Sequence, residues 1–539
     1  MDYFITFKKK EFINMKKITY QILIIICSIS TALSGQHSNT FTGKDAGASN
    51  TTGSLNTFTG DHSGTNNTRG VSNTFTGADS GRRTTTGSNN VFTGRNAGYQ
   101  NTVGSFNVFT GRDAGYENSS GSSNVFTGYR SGYNTTADSN VFTGFRSGYR
   151  NSIGHSNVYV GYRSGYDNTD GDSNVFVGRE AGEADHSENS VLIGINAGRS
   201  SQNFSNVFLG ANAGSDIELN SSNIFAGAGA GAGTAGDRSA YTNSNVFIGN
   251  DAGHSNTDGL DNIFMGYNTG NNIVTGGDNI LLGNNAGSKS ENLSNTISIG
   301  ANSGENTDGF SNNNIFIGSQ SGKSNTSGQK NLYIGYKTGS TNSKGSNNVF
   351  IGNASSGHFS SESNKLYIQN TLDKPFISGD FEERELFFNT KVATGFGNTS
   401  FPTRVGSGST ARDVSRYTLF VEGGLLTEEL LIETDWADYV FKDSYQLRSL
   451  QEVERFINKN GYLPNMPSAE EVEDAGLEMG EITKLQQEKI EELTLYVIQE
   501  DKEVAQNEHT IEYQNSEMKA LKKQMQQMQL QLEHLLKSN

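Results

Sequence analysis

The sequence predicts an all-β solenoid, a parallel β-roll of about 19 coils of about 17 residues, followed by small β elements and a C-terminal α-helical coiled coil. Three observations lead to this prediction. A glycine-anchored motif recurs through more than half of the chain, and the composition does not suit an ordinary globular core. The last residues follow a heptad pattern.

The composition separates this chain from both globular and disordered proteins. Of 539 residues only 33% are apolar, while 65 are glycine and 4 are proline, which does not fit several ordinary globular domains. Disordered glycine-rich chains lack regularly spaced aromatic residues, whereas this chain contains 31 phenylalanines and 21 tyrosines. We therefore expect an ordered fold that depends on the arrangement of the repeat.

The repeat centres on an anchor glycine that occurs in nineteen copies, from Gly43 to Gly352. Successive anchors are 16, 17 or 18 residues apart, except for a gap of 22 between Gly227 and Gly249. A typical copy reads Asn-Val-Phe-Thr/Ile-Gly, and a second glycine follows four residues after the anchor. Glycine at two fixed corners suits sharp turns, and the apolar tripeptide before the anchor predicts a very short strand.

Stacked coils turn equivalent residues into ladders. The residue four positions before the anchor is asparagine in seventeen of the nineteen coils, with Ser190 and Thr296 as the exceptions. A stacked amide ladder can hydrogen-bond along the fibre axis. The alternative is that asparagine is only a favoured turn residue.

Each short strand has two faces. In the strand Val91-Phe92-Thr93, the valine and the threonine point to one face and the phenylalanine to the other. Our preferred interpretation is that Val with Ile or Thr fills the interior, including the paired threonines of the first three coils. The aromatic ladder would then lie outside, and the chain would oligomerise along its length. The alternative is that the aromatic ladder forms the interior.

A separate pattern of tyrosine and arginine begins in the fourth coil. Tyrosine recurs once per coil, at Tyr99, Tyr116, Tyr133, Tyr149 and Tyr166. Arginine accompanies it at Arg95, Arg112, Arg130, Arg146 and Arg163. Aromatic faces with guanidinium donors can hold sugar rings or acidic polysaccharide, so the five tyrosines with Arg130, Arg146 and Arg163 are candidate ligand-binding residues. The alternative is a self-stacking ladder that stabilises neighbouring coils.

The chain is expected to change character after the solenoid. We predict a β-solenoid head at 36–370, a β cap and linker at 371–434, a small helical module at 435–480 and a coiled-coil stalk at 481–539. Residues 364–370 have the pattern of a terminal coil, and residues 376–389 alternate as paired strands do. In the helical module, Ser449 with Glu452 and Ser468 with Glu471 form capping-box pairs that predict two helix starts.

The C-terminal heptads predict self-association. With Ile490 at position a, seven unbroken heptads follow, and their central d positions are polar. The candidate oligomerisation residues are Ile490, Leu493, Val497, Val504, Asn507, Ile511, Leu521, Leu532 and Leu535. Asparagine at position d resembles the polar core layers of trimeric adhesin stalks. Asn507 therefore favours a homotrimer, and a homodimer is the alternative.

The N-terminus predicts export. Residues 1–35 have the pattern of a signal peptide, with Met15 as an alternative start: Lys16 and Lys17 precede an apolar run at 22–27 and then small residues. We expect a secreted or cell-surface protein. No later stretch approaches the ~18 apolar residues of a membrane span, so none is expected in the mature chain. The net charge of -16 argues against a nucleic-acid partner.

The sequence points away from catalysis, and no metal or cofactor is expected. Eight histidines are scattered along the chain, the motif His-Glu-x-x-His is absent, and no pair of catalytic carboxylates stands out. We therefore expect a protein that is not an enzyme.

The repeat resembles the head repeats of YadA-like trimeric autotransporter adhesins, whose Asn-Ser-Val-Ala-Ile-Gly pattern shares the anchor glycine and the alternating apolar residues. The resemblance covers about residues 37–370, and phenylalanine stands where that family has alanine. It implies three β-rolls side by side. The C-terminal module resembles those of bacterial surface and tail-fibre proteins. It occupies the position of the endosialidase-type chaperone, whose Ser-Asp-x-x-x-Lys signature is not found here.

These features together predict an exported surface fibre that acts as an adhesin. It would bind an unknown surface or glycan ligand through many weak contacts. The alternatives are a fibre of a phage-tail-like or injection system and, less favoured, a glycan-active fibre. The predicted signal peptide favours the adhesin over a phage-tail-like or injection-system fibre, because such fibres normally assemble in the cytoplasm.

Overall fold

The computed structural model describes residues 39–184, 186–200, 202–217, 219–233, 241–307, 311–355, 360–370, 374–395, 400–408 and 411–537. The predicted signal peptide lies outside these residues. The chain divides into two compact units, Met1–Asn389 and Thr390–Asn539. Each unit is described by itself.

The first unit is the predicted β-solenoid. One strand per coil pairs in parallel with its equivalent in the next coil, in strict register, so that Phe92 lies opposite Phe109. Nineteen such strands form the main ladder: β1 (Thr40–Thr42), β2 (Thr57–Thr59), β3 (Thr74–Thr76), β4 (Val91–Thr93), β5 (Val108–Thr110), β6 (Val125–Thr127), β7 (Val141–Thr143), β8 (Val158–Val160), β9 (Val175–Val177), β10 (Val191–Ile193), β12 (Val207–Leu209), β14 (Ile224–Ala226), β16 (Val246–Ile248), β18 (Ile263–Met265), β20 (Ile280–Leu282), β21 (Ile297–Ile299), β22 (Ile315–Ile317), β23 (Leu332–Ile334) and β24 (Val349–Gly352).

A second parallel sheet, which was not predicted from the sequence, accompanies the middle coils. Its five strands are β11 (Gln202–Phe204), β13 (Leu219–Ser221), β15 (Tyr241–Asn243), β17 (Asp258–Leu260) and β19 (Thr275–Gly277). Each ends three residues before a strand of the main ladder. Their segments include asparagine and glycine, which carry little strand propensity, so the stacking of neighbouring coils rather than local preference produces this sheet.

The aromatic ladder forms the interior, so our preferred interpretation of the two strand faces was wrong. These fifteen aromatic side chains are fully buried: Phe58, Phe75, Phe92, Phe109, Phe126, Phe142, Tyr159, Phe176, Phe208, Phe225, Phe247, Phe264, Phe316, Tyr333 and Phe350. Neighbouring rings stack closely, for example with centroids 4.7 Å apart between Phe75 and Phe92. Leu192, Leu281 and Ser298 take the same buried position in the three remaining coils after the first.

Glycine explains why such a narrow coil can hold an aromatic ring. The second glycine of each coil lies against the ring face: a Cβ on Gly98 would come within 2.5 Å of Cε2 of Phe92. The residue before it is small and buried, as at Ala97 and Ala114. Because the residues at both positions are small, the aromatic ring fits into the space beside them. Which strand face points inwards therefore depends on the space that these small residues leave on the opposite side of the coil.

The other strand face is directed outwards and carries no charge. The outward side chains of the nineteen strands are all Thr, Val, Ile, Leu, Ala or Met. The threonines of β2 and β3 are exposed, so the expectation that they face the core was wrong. From Val160 onwards both outward positions are apolar. The large exposed apolar face of the solenoid is therefore this surface and not the aromatic ladder.

The asparagine ladder is confirmed as a hydrogen-bonded column. Asn73 is fully buried, and its Oδ1 accepts a bond of 2.9 Å from the backbone N–H of Asn90 in the next coil. Its Nδ2 donates to the carbonyl of Gly87, also in the next coil, over 2.8 Å. The same pair of bonds recurs at Asn107, Asn157 and Asn331. Asparagine is thus more than a turn former here, since each amide links its coil to the following one.

The solenoid ends in the predicted terminal coil and strand pair. β25 (Lys365–Gln369) continues the ladder in parallel with β24. β26 (Ile377–Asp380) then pairs antiparallel with β25, and β27 (Glu385–Phe388) pairs antiparallel with β26. The side chains of Lys365 and Asp380 form an ion pair across β25 and β26. This hairpin covers the last parallel edge, which would otherwise offer unpaired backbone groups.

The second unit combines two small sheets with helices. β28 (Val392–Thr394) pairs in parallel with β31 (Leu419–Val421), and β29 (Arg404–Val405) pairs antiparallel with β30 (Arg412–Asp413). A 3₁₀ turn follows at Asp438–Phe441. The α-helices are α1 (Leu450–Asn460), α2 (Ala469–Ala475) and α3 (Met479–Lys537).

Local capping residues fix the two short helices as predicted. The side chains of Ser449 and Ser468 each accept a hydrogen bond from the backbone N–H three residues on. The carboxylates of Glu452 and Glu471 in turn accept one from the backbone N–H of the two serines, which completes each capping box. α1 ends at Gly461, whose φ of 82° is in the left-handed region that glycine tolerates best. The start of each helix is therefore determined by residues next to it in the sequence.

The start of α3 packs on the 3₁₀ turn through a buried polar cluster. The hydroxyl of Tyr439 donates to Glu488, and Asn465 donates to the same carboxylate over 3.2 Å. Burial alone would raise the pKa of Glu488, but hydrogen bonds from Tyr439, Lys489 and Asn465 lower it. The bond to Glu488 raises the pKa of Tyr439 to about 12. This polar cluster binds one side of α3, where Glu488 and Glu491 are buried.

Replacing Tyr439 by phenylalanine should destabilise the second unit by about 1–3 kcal/mol at neutral pH, because Glu488 loses a donor while still buried. A raised Tyr439 pKa means that its contribution is fully present below its ordinary value of 10.0 and is lost as the pH rises to about 12. Denaturant unfolding followed by the fluorescence of Trp436, the single tryptophan, measures both effects. Tyr439→Phe should lose less stability than the wild type between these two pH values.

The control for this experiment is Tyr513→Phe, since Tyr513 is well exposed on α3. It should match the wild type at both pH values. Equal stability and equal alkaline loss in Tyr439→Phe and the wild type would contradict the role given to the bond between Tyr439 and Glu488.

Candidate functional site

The five predicted tyrosines form one continuous stack on the solenoid, here called the tyrosine column. Ring centroids of Tyr99, Tyr116, Tyr133, Tyr149 and Tyr166 are 5.0, 5.1, 5.2 and 5.1 Å apart in succession. The rings are close to parallel, with the largest interplanar angle at 22°. Each tyrosine occupies the fifth position after its anchor glycine and is half-buried. Each ring thus stacks on its equivalent in the neighbouring coil, which is the arrangement that the self-stacking alternative predicts.

The structure separates the predicted arginines into two groups. Arg130, Arg146 and Arg163 occupy the second position after the anchor and form the arginine column. Arg95 and Arg112 occupy the first position and lie outside that column. The guanidinium carbon of Arg130 is 5.4 Å from the ring centroid of Tyr133, and that of Arg163 is 4.5 Å from that of Tyr166. Such distances allow cation–π attraction between the two columns.

A second aromatic column lies on the other side of the arginines. It consists of Tyr129, Phe145 and Tyr162, whose centroids are 5.2 and 5.3 Å apart. Arg130 lies 5.2 Å from Tyr129 and Arg146 lies 5.3 Å from Phe145. This column was not predicted, although the sequence contains its signal, an aromatic residue directly after the anchor in three consecutive coils. Phe145 and Tyr162 are exposed.

The three columns together form the aromatic–arginine stripe, which is widest over the three consecutive coils that contain the arginine column. The rings stack at the coil spacing, so their faces are turned along the fibre axis and every face between two successive rings is covered. The stripe therefore presents ring edges, phenol hydroxyls and guanidinium groups to its surroundings. This differs from the expectation that open aromatic faces would hold sugar rings.

Acidic residues hold the two ends of the arginine column. Nε of Arg130 lies 3.4 Å from Oδ2 of the buried Asp113, and a terminal nitrogen of Arg163 lies 2.5 Å from Oε1 of the buried Glu183. Within the described residues, Arg146 in the middle has no ion-pair partner. Its Nε is shielded from solvent and makes no hydrogen bond there. The positive charge of the stripe is thus least compensated at Arg146.

The environment of the tyrosine column favours the neutral phenol. Burial, reinforced by Tyr99 and nearby carboxylates, raises the pKa of Tyr116. Burial and the neighbouring Tyr116 raise the pKa of Tyr133. Both hydroxyls therefore keep their proton at physiological pH and can donate hydrogen bonds to a ligand.

The predicted oligomerisation residues occupy a and d positions of the heptads in α3, here called the heptad side, and α3 is exposed all round from residue 497 to residue 537. All nine, Ile490, Leu493, Val497, Val504, Asn507, Ile511, Leu521, Leu532 and Leu535, are exposed in the single chain. The buried residues of α3 are Ile482, Glu488 and Glu491, close to its start. Ile490 is 57% exposed although Glu488 and Glu491 beside it are buried, so the heptad side is left uncovered by the polar cluster.

The described part of the chain offers no group of three or more His, Cys, Asp or Glu side chains suited to hold a metal ion. It also contains no helix that is both long and apolar enough to cross a membrane. No protein-family model, curated protein or solved structure matches the chain.

Proposed function

We propose that this chain is an exported, non-catalytic fibre protein that acts as an adhesin and binds glycans at the aromatic–arginine stripe. The observation that carries the proposal is the juxtaposition of two aromatic columns with an arginine column over three consecutive coils. Hydrogen-bond donors repeat there once per coil in the tyrosine column and in the arginine column. A ligand that itself repeats, such as a polysaccharide, can therefore make the same contact several times.

Self-association of the chain is the second part of the proposal. The exposed heptad side of α3 presents apolar residues over seven heptads. A second copy of α3 carries the same heptad repeat and can therefore pack against it. Asn507 at a d position favours a homotrimer. Several stripes held in one assembly would raise the avidity of a weak contact.

The location and the class of fibre rest on the sequence. The pattern of residues 1–35 supports a secreted or cell-surface protein and argues against a fibre of a phage-tail-like or injection system. The resemblance of the repeat to the heads of trimeric autotransporter adhesins supports adhesion over a purely structural role. The glycan-active alternative has less support, since no pair of catalytic carboxylates stands out in the sequence.

Removing two rings from the stripe should weaken glycan binding without unfolding the solenoid. On an array of immobilised glycans, the full chain should bind a subset, and the variant Tyr133→Ala/Tyr149→Ala should bind that subset at least about tenfold more weakly, a loss of about 1.4 kcal/mol or more. Tyr267→Ala is the matched control, because Tyr267 is an exposed ring elsewhere on the solenoid. A double variant that binds the same glycans as the wild type would refute the site.

The heptad side of α3 should determine the mass of the particle. Light scattering of the full chain should give three copies, and Val504→Asp/Ile511→Asp should give one, because the substitutions place charges in the apolar layers of the coiled coil. Both residues are exposed in the single chain, so its folding should be unaffected. Gln506→Asp at an outward position is the control. Two copies would contradict the trimer, and a monomeric wild type would contradict self-association altogether.

A further inference from the structure

We propose that the arginine column binds the carboxylate groups of an acidic polysaccharide that lies along the solenoid axis, with Arg146 as the principal contact. The inference rests on the proposed glycan-binding function and specifies the class of ligand. Four features of the stripe support it: the orientation of its rings, the backbone conformation of its arginines, the distribution of charge and the spacing of the donors.

The orientation of the rings selects for charge. A neutral sugar binds an aromatic residue mainly through the ring face, but here the faces in each column are occupied by the neighbouring rings. The edge of an aromatic ring carries the positive part of its quadrupole. Ring edges, phenol hydroxyls and guanidinium groups are all attractive to an anion, so the exposed surface of the stripe suits an acidic ligand better than a neutral one.

The backbone conformation shows that the arginines are not required by the fold. The second position after the anchor is left-handed in every coil, and ten of the nineteen coils place Asp or Asn there. Asp and Asn adopt this conformation more readily than long side chains do. Arg130, Arg146 and Arg163 nevertheless occupy it in succession, with φ between 53° and 54°. Glu180, Gln320 and Lys337 also hold long side chains in this position, so these three coils are distinguished by having arginine each time, next to the second aromatic column.

The distribution of charge singles out Arg146. Asp113 and Glu183 neutralise the outer two arginines and fix their side chains. Arg146 lies between Phe145 and Tyr149, with its guanidinium carbon 5.3 and 5.6 Å from their ring centroids, and lacks an acidic partner among the described residues. A guanidinium that is held in place by two rings and has no acidic partner can bind a carboxylate through two parallel hydrogen bonds.

The spacing of the donors matches a chain of sugar acids. Equivalent atoms of successive coils are separated by ~4.8 Å, the distance between hydrogen-bonded strands. This is close to the length of one pyranose residue in an extended polysaccharide. A polymer with a carboxylate on every sugar could therefore place one on Arg146 and others beside Arg130 and Arg163. A single sugar acid would use only one of these contacts.

The test compares polygalacturonate with the same polymer after full methyl esterification, which removes the charge and keeps the sugar chain. The full chain should bind polygalacturonate at least about tenfold more tightly than its ester, and more weakly as salt is added. Arg146→Gln should reduce binding of polygalacturonate by at least about tenfold, since it removes a charge-assisted contact. Lys337→Gln is the matched control, because Lys337 has the same left-handed position beside Tyr336 in a distant coil. It should bind as the wild type does.

Each other outcome overturns the inference in a distinguishable way. Equal binding of polygalacturonate and its ester would refute an acidic ligand and leave the proposed glycan-binding function intact. Binding of dextran sulfate but not of polygalacturonate would show that the anion is a sulfate. Loss of binding in Lys337→Gln as large as in Arg146→Gln would place the contact outside the stripe. Binding to none of these polymers and to no glycan on the array would refute both proposals.

Discussion

The close stacking of each coil on the next is the constraint on which the structure depends. A Cβ on the anchor Gly161 would come within 2.1 Å of the carbonyl oxygen of Gly178 in the following coil, and its φ of 143° is unsuited to other residues. Only glycine allows the two backbones to approach this closely at such an angle. Every other residue of the coil is thereby placed directly against its equivalent, so a single repeat position becomes a continuous column.

Three columns illustrate how this constraint is used. Phenylalanines stack inside, where burying each side chain contributes roughly 1.5–3 kcal/mol. Asparagines satisfy buried backbone groups of the next coil, as Asn73 does for Asn90 and Gly87. Tyrosines stack on the outside without being needed for the interior. Because the outer positions are free to vary from coil to coil, a run of three suitable coils is enough to create the aromatic–arginine stripe.

Much of the fold could be predicted from the sequence because it depends on local or strictly repeated signals. The anchor glycines gave the solenoid, Ser449 and Ser468 gave the helix starts, and the heptads gave the extent of α3. The interior face could not be predicted from the alternation of side chains, because both faces of strands such as Val207–Leu209 are apolar. It is determined by the space that the second glycine leaves on the opposite side of the coil. The column of Tyr129, Phe145 and Tyr162 was not predicted, because its stacking and its contacts with the arginines depend on the register between coils.

The direction of the strand faces can be measured at two adjacent residues. Leu192 is fully buried in the ladder position, whereas Ile193 is 37% exposed on the outer face. In a Cys27→Ser background, which removes the only native thiol, each would be replaced singly by cysteine and the rate of thiol labelling measured in the native protein. We expect rapid labelling of Ile193→Cys and protection of Leu192→Cys until denaturant is added. Rapid labelling of Leu192→Cys with protection of Ile193→Cys would contradict an aromatic interior.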